Sequence, residues 1–188
     1  MKKLFLLVIT LTTALAAHAQ VSVQVGYLSN TLKAEDGAAR VSGKYRGFLA
    51  TVDYNIHLTD YLGIAPGLGI DYSFNSQNGS RYKEFGLIAP IDVNYCLMMN
   101  DNLSLSLFAG PTLYYGLFAR ETAVNPPYDY YENDSKRFDV SLGGGFWFDF
   151  NEMIRLKVGY KFGLTNTSKI DGIKERNNIL SITVGYVF

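Results

Sequence analysis

Acid–base and nucleophilic chemistry needs a histidine, a cysteine or an activated hydroxyl beside a carboxylate. This 188-residue chain has two histidines, His18 and His57, and one cysteine, Cys96. A richer set of ionisable residues punctuates otherwise apolar segments: Asp53, Asp71, Asp92, Asp139, Asp149, Arg155, Lys157 and Lys161. Charges of both signs at such positions suit ion pairing, or the conduction of a proton or ion. A third group is Tyr128, Tyr130 and Tyr131, interleaved with Asp129, Glu132 and Asp134. Tyrosines in an exposed stretch give a large contact area at low entropy cost. The carboxylates there match no defined calcium loop. Nothing in the chain specifies a cofactor, a metal centre or a catalytic set.

The elements that carry these residues repeat with a period of two, which sends successive side chains to opposite faces of a strand. Phe48, Ala50, Val52, Tyr54, Ile56 and Leu58 share one face, and Thr51, Asp53, Asn55 and His57 the other. The pattern recurs at 62–74, where Leu68 and Ile70 oppose Gly69 and Asp71, and at 85–97, where Ile91 and Val93 oppose Asp92 and Asn94. It continues at 103–115, at 138–150 with Asp139 and Asp149 on the polar face, and at 154–162 with Arg155, Lys157 and Lys161 there. A first strand reads through Val21, Val23, Val25 and Tyr27, and a last through Leu180, Ile182, Val184, Tyr186 and Phe188. Eight strands result, and no charged residue falls on the apolar face of any.

The N-terminus is of another kind. Lys2 and Lys3, an apolar stretch to Ala17 and the small-x-small Ala17-His18-Ala19 form a secretory signal peptide over residues 1–19, leaving 20–188 as one domain. Of 17 basic and 17 acidic residues, removal of Lys2 and Lys3 leaves 15 − 17 = −2. No basic cluster is dense enough to track a phosphate backbone, so nucleic acid is not expected as a partner. A lone cysteine forms no internal disulfide. A hydrophobic content of 48% without a later apolar run long enough for a helical span leaves membrane strands open.

Alternation alone fits a soluble lipocalin-like binder of apolar ligands, with the Val52, Leu68 and Val158 face inward, as well as a membrane barrel with that face outward. Connectors separate the two. Short turns at 59–61, 100–102 and 151–153 alternate with long polar connectors at about 29–46, 75–83, 118–136 and 165–177. That asymmetry belongs to outer-membrane barrels. The expected architecture is therefore all-β: an eight-stranded antiparallel up-and-down transmembrane β-barrel. Bulges or pairing defects are expected at Pro66, Pro90 and Pro111, each of which lacks a ladder donor.

The strand Leu180-to-Phe188, ending on an aromatic, and the segments Leu62-Gly63-Ile64-Ala65-Pro66-Gly67 and Phe108-Ala109-Gly110-Pro111 resemble the outer-membrane β-barrel domain family, the small OmpA/OmpX-type barrels. The resemblance implies Gram-negative outer-membrane localisation and contact with outer-membrane lipid and lipopolysaccharide. It also implies that Leu180, Ile182, Val184, Tyr186 and Phe188 form the signal read by the barrel-assembly machinery. It fixes no activity.

An eight-stranded barrel is filled by its own side chains, so the lumen is expected to be plugged by the eight charges named above, in a satisfied polar core or as a proton or ion path. The leading expectation is a non-enzymatic barrel acting structurally or through its loops. Alternatives are a lipid-modifying barrel enzyme, for which His57 lacks an evident serine–acid set, and the soluble binder. Cys96 reads as a small filler. Residues 125–134 read as a solvated loop with contact tyrosines whose carboxylates a cation could bridge to lipopolysaccharide. The basic residues Lys33, Arg40, Lys44 and Arg46 could face outer-leaflet phosphates.

Overall fold

The computed structural model describes residues 19–37, 39–77, 80–100, 102–122 and 127–188. The expected signal peptide lies outside them save Ala19, as do Asp101 of one turn and Asn125 and Pro126 of the tyrosine-rich stretch. Among the described residues nine strands are present: β1 (Ala19–Asp36), β2 (Ala39–His57), β3 (Leu62–Gln77), β4 (Ser80–Asn100), β5 (Leu103–Glu121), β6 (Tyr128–Asp129), β7 (Phe138–Phe150), β8 (Ile154–Gly163) and β9 (Ile173–Val187). One helical turn, α1 (Tyr130–Asn133), follows β6.

Every long strand pairs antiparallel with two others, and β1 pairs with both β2 and β9. β4 closes onto β5, so β1–β5 and β7–β9 form an eight-stranded ring, with β6 a two-residue appendage on β5. Across the seam Val23 faces Tyr186, and the Phe188 N–H donates to the Val21 carbonyl at 2.8 Å. Closure leaves no edge, which a hydrocarbon solvent demands because it cannot satisfy backbone groups.

The faces sort as alternation requires. Leu68 is 71% exposed on the outside while Asp53, one strand away, is 2% exposed inside. The soluble alternative therefore fails: Val52 and Leu68 point away from the lumen, and the face that would line a ligand cavity is the outer belt. Aromatic rings bound that belt. Tyr61 and Tyr95, and Tyr186 and Phe188, sit together at one rim; Phe48 and Phe74, and Phe85 and Phe118, at the other. On β4 the rims are Phe85 and Tyr95, ten residues apart. At roughly 3.3 Å per residue and a tilt of about 40°, this span is about 25 Å, the height of an outer-membrane apolar band.

One expectation needs correction. Within the expected connectors, residues 29–36, 39–46, 75–77, 80–83, 118–121 and 173–177 are strand, not loop: β1 and β2 stay paired up to Asp36 and Ala39, and β3 and β4 up to Gln77 and Ser80. Above the outer rim the outward face no longer meets hydrocarbon, so the period-two apolar signal ends although the hydrogen-bond ladder continues. At the prolines the expected pairing defects are present, and they are not bulges. The register shifts lie at Phe85/Gly86 and Cys96/Met98. Pro66, Pro90 and Pro111 instead interrupt the ladder toward the preceding strand without changing register, as between Gly69–Ile88 and Pro66–Ile91. Each loses a donor on one side and keeps its pairing on the other.

Candidate functional site

Register builds the floor of the lumen. β7 and β8 set Trp147 directly opposite Lys157 and Asp149 directly opposite Arg155, all on the inward face. Arg155, 1% exposed, donates to Asp149 through Nε at 2.7 Å and Nη2 at 2.9 Å, and its guanidinium lies over the Trp147 ring at 4.3 Å. This is a bidentate pair with a cation–π contact, two interactions suited to the planar arginine fork. Phe108 from β5 stacks on Trp147 at 5.5 Å and 18°, and Ala65 from β3 completes a small apolar core.

Lys157 stands above that core. Its Nζ is 2.8 Å from Asp92 Oδ2, 3.6 Å from Asp53 Oδ2 and 4.5 Å from the Phe108 ring centroid. One ammonium thus ties β8 to β4 and β2 across the barrel. Gln24 fixes Asp53 by donating to it and accepts from Thr183 Oγ1 at 2.8 Å. Asp53 Oδ1 and Asp92 Oδ1 are buried without a partner.

The eight charges named from sequence do not form one network. Asp53, Asp92 and Lys157 make one cluster and Asp149 and Arg155 another. Asp71 accepts from Ser73 at 3.1 Å, and Asp139 accepts from Thr165. Lys161 makes no ion pair within 4.0 Å among the described residues. It lines a cavity of about 50 Å³ with Asp71, Asn30 and Thr112. Asn30 Oδ1 and Thr112 Oγ1 are buried without protein partners there, and a cavity of this size accommodates water.

The outer mouth is closed by a set that the sequence did not suggest. Glu84 accepts from Tyr82 at 3.0 Å, from Tyr114 at 2.7 Å and from Tyr131. Tyr131 is 5% exposed, which corrects the expectation that it belongs to a solvated contact surface. It reaches the mouth because Asp129 caps α1 by accepting from the Tyr131 N–H at 3.0 Å, while Lys169 Nζ donates to the Tyr131 carbonyl at 2.6 Å. Arg137 covers the ring at 5.3 Å. Tyr128 and Tyr130 are half-buried; Tyr130 packs edge-on against Tyr82 and donates to Glu121. Burial first and the Glu84 charge second raise the Tyr131 phenol above its ordinary value; burial and the hydrogen bond to Glu121 do the same for Tyr130. These phenols stay protonated donors.

At the periplasmic end a cavity of about 90 Å³ contains His57 and half-buried Cys96 beside Asn55, Asn94 and Asp149. His57 Nε2 lies 3.2 Å from Asn55 Nδ2. Leu180, Ile182, Val184, Tyr186 and Phe188 are exposed on the outer face of β9, at the closing seam. Phe108, Trp147, Glu84 and Tyr114 were legible as inward by parity, each lying between outward neighbours. Parity places them inside one by one but does not show that they meet.

A closed antiparallel ring with an apolar outer belt, two aromatic rims and a charged, side-chain-filled interior defines a transmembrane β-barrel. The family model for the outer membrane protein beta-barrel domain matches residues 4–188, and the chain belongs to that family. Its place is the outer membrane. No curated protein matches it in sequence. Among solved structures it is similar to Ail, the attachment invasion locus protein of Yersinia pestis, at 17% identity and TM-score 0.53, over 91% of this chain and 99% of that one. It is also similar to Neisserial surface protein A, at 15% and 0.51 over 88% and 96%. OprG of Pseudomonas aeruginosa is similar at 12% and 0.52 over 90% and 96%. At these identities the likeness concerns the fold.

Proposed function

We propose that this chain is a non-enzymatic outer-membrane barrel with a sealed lumen, acting structurally and through the surface of its extracellular hairpins. The observation that carries this reading is the Lys157–Asp53–Asp92 cross-tie seated on Phe108 and Trp147. On one side of it lie adjoining cavities of about 50 and 120 Å³, which share Asn30, Glu84 and Tyr114 in their linings, and on the other one of about 90 Å³. None approaches the roughly 300 Å³ or more of a site for a lipid-sized ligand. What extends beyond the membrane is paired strand, a rigid platform for contact. In the same reading Leu180, Ile182, Val184, Tyr186 and Phe188 are what the barrel-assembly machinery recognises.

The test is an acyl-release and acyl-transfer assay on the protein folded in detergent with lipopolysaccharide and phospholipid. Absence of turnover is the expected result. Turnover that disappears in a His57→Ala variant of unchanged fold would replace this reading with a lipid-modifying enzyme.

A further inference from the structure

The strand extensions above the outer rim separate charge by face. Arg46 stands two residues before the rim aromatic Phe48, Lys83 two before Phe85, and Arg120 two after Phe118. All three are exposed on the outer face. Their inward-facing neighbours are Tyr45, Glu84 and Glu121, which bind one another's strands and the Tyr130–Tyr131 lid. A hairpin that met only water would have no reason to sort acids inward and bases outward.

Register places the bases in one row. Arg46 faces Phe74, Phe74 faces Lys83, and Lys83 faces Arg120 across β2, β3, β4 and β5. Like charges directly opposite on adjacent strands are destabilising. Arg120 has one acidic neighbour, Asp129, at 3.4 Å; Arg46 and Lys83 make no ion pair within 4.0 Å among the described residues. Lys44 continues the patch one step along β2, also exposed. The half-apolar Phe74, 37% exposed, sits in the middle of the row.

The geometry points to a binding site for a phosphorylated lipid headgroup on the outer leaflet, its phosphate between Lys83 and Arg120 and reached by Arg46, with the acyl chains against the Phe48–Phe74 belt below. The row lies immediately above the aromatic rim, where headgroup phosphates stand, and an anion there removes the repulsion that the register imposes. The inference deepens the surface-contact reading by naming one partner class, and it is independent of whether the lumen is sealed.

Its test uses the full chain folded in zwitterionic phosphatidylcholine nanodiscs, titrated with a fluorescent bis-phosphorylated glucosamine lipid. Folding is verified first by the faster gel migration of unboiled samples, so failure to form the barrel is read separately from failure to bind. The variant Arg46→Gln/Lys83→Gln/Arg120→Gln is expected to bind on the order of a hundredfold more weakly, from about 1 kcal/mol per cation near a charged lipid surface. The variant Lys33→Gln/Arg40→Gln/Lys174→Gln, with the same change in net charge, is expected to bind like the parent. Equal weakening by both variants, equal binding of the dephosphorylated lipid, or displacement by inorganic phosphate at the lipid's own concentration would each overturn the assignment.

Discussion

Tyr131 crosses the mouth of the barrel to donate its phenolic hydrogen to Glu84, 47 residues earlier in the chain, and in doing so lies directly over Gly116. A Cβ on Gly116 would meet the Tyr131 ring carbon Cζ at 2.1 Å, so the glycine is the floor on which the ring rests. The lid and its seat are therefore specified together.

Either partner can be used to lift that lid. Gly116→Ala and Tyr131→Ala are both expected to release α1 from the mouth while leaving the ring of strands intact. Faster amide exchange over residues 127–137, with unchanged exchange in β7 and β8, is the expected outcome. Uniform exchange across the barrel, or none gained at the lid, would show that Tyr131 is not what holds it.

Lys157 is expected to matter more by its removal than by its presence. Lys157→Met leaves Asp92 and Asp53 buried without their cation, Asp53 keeping only the Gln24 amide, and losing one partner of a buried ion pair costs about 3–5 kcal/mol. The triple variant Lys157→Met/Asp53→Asn/Asp92→Asn is expected to recover most of that loss. Urea midpoints in lipid vesicles check both.

The turn between β7 and β8 carries strain that can be removed. Asn151 and Glu152 both have positive φ, 49° and 57°, and the Met153 N–H donates to the Phe150 carbonyl at 3.0 Å. Positive φ at both central residues of such a turn is the pattern in which asparagine followed by glycine is favoured. Glutamate there costs about 1–2 kcal/mol. Glu152→Gly is expected to raise stability by about 1 kcal/mol in the same urea titration.

Facing is tested by a pair of adjacent residues. Val52 is 49% exposed on the lipid face, and Thr51 is 7% exposed inside. Val52→Arg is expected to cost about 2–4 kcal/mol if it lies near the bilayer midplane, and to lose that penalty in a detergent whose headgroups can be reached. Thr51→Arg crowds the lumen and is expected to be equally harmful in both media.

The alternation that makes β1–β5 and β7–β9 legible comes from two solvents, lipid outside and a polar interior inside, and it is readable only where both act. At Phe48 to Leu58 it fixed the face of every side chain. At Ser29 to Asp36 water replaces lipid, the contrast vanishes, and paired strand reads as loop. Trp147 and Phe108 are inward by parity, but alternation does not show that their rings stack. The charges Asp53, Asp92 and Lys157 could be placed in the lumen one by one, but their grouping depends on stagger between non-adjacent strands. Alternation carries no information about that. Nor does local sequence show that 128–134 folds back across the mouth, because its partners Glu84 and Lys169 lie far away along the chain.

The sealed lumen is the centre of the account, and electrical recording across a planar bilayer tests it most directly. The folded protein is expected to show no stepwise conductance, and a Lys157→Ser/Tyr131→Ala variant, lacking both stoppers, is expected to show it. Ohmic steps from the unaltered protein at modest voltage would contradict the account and make the Lys161 cavity part of a continuous path.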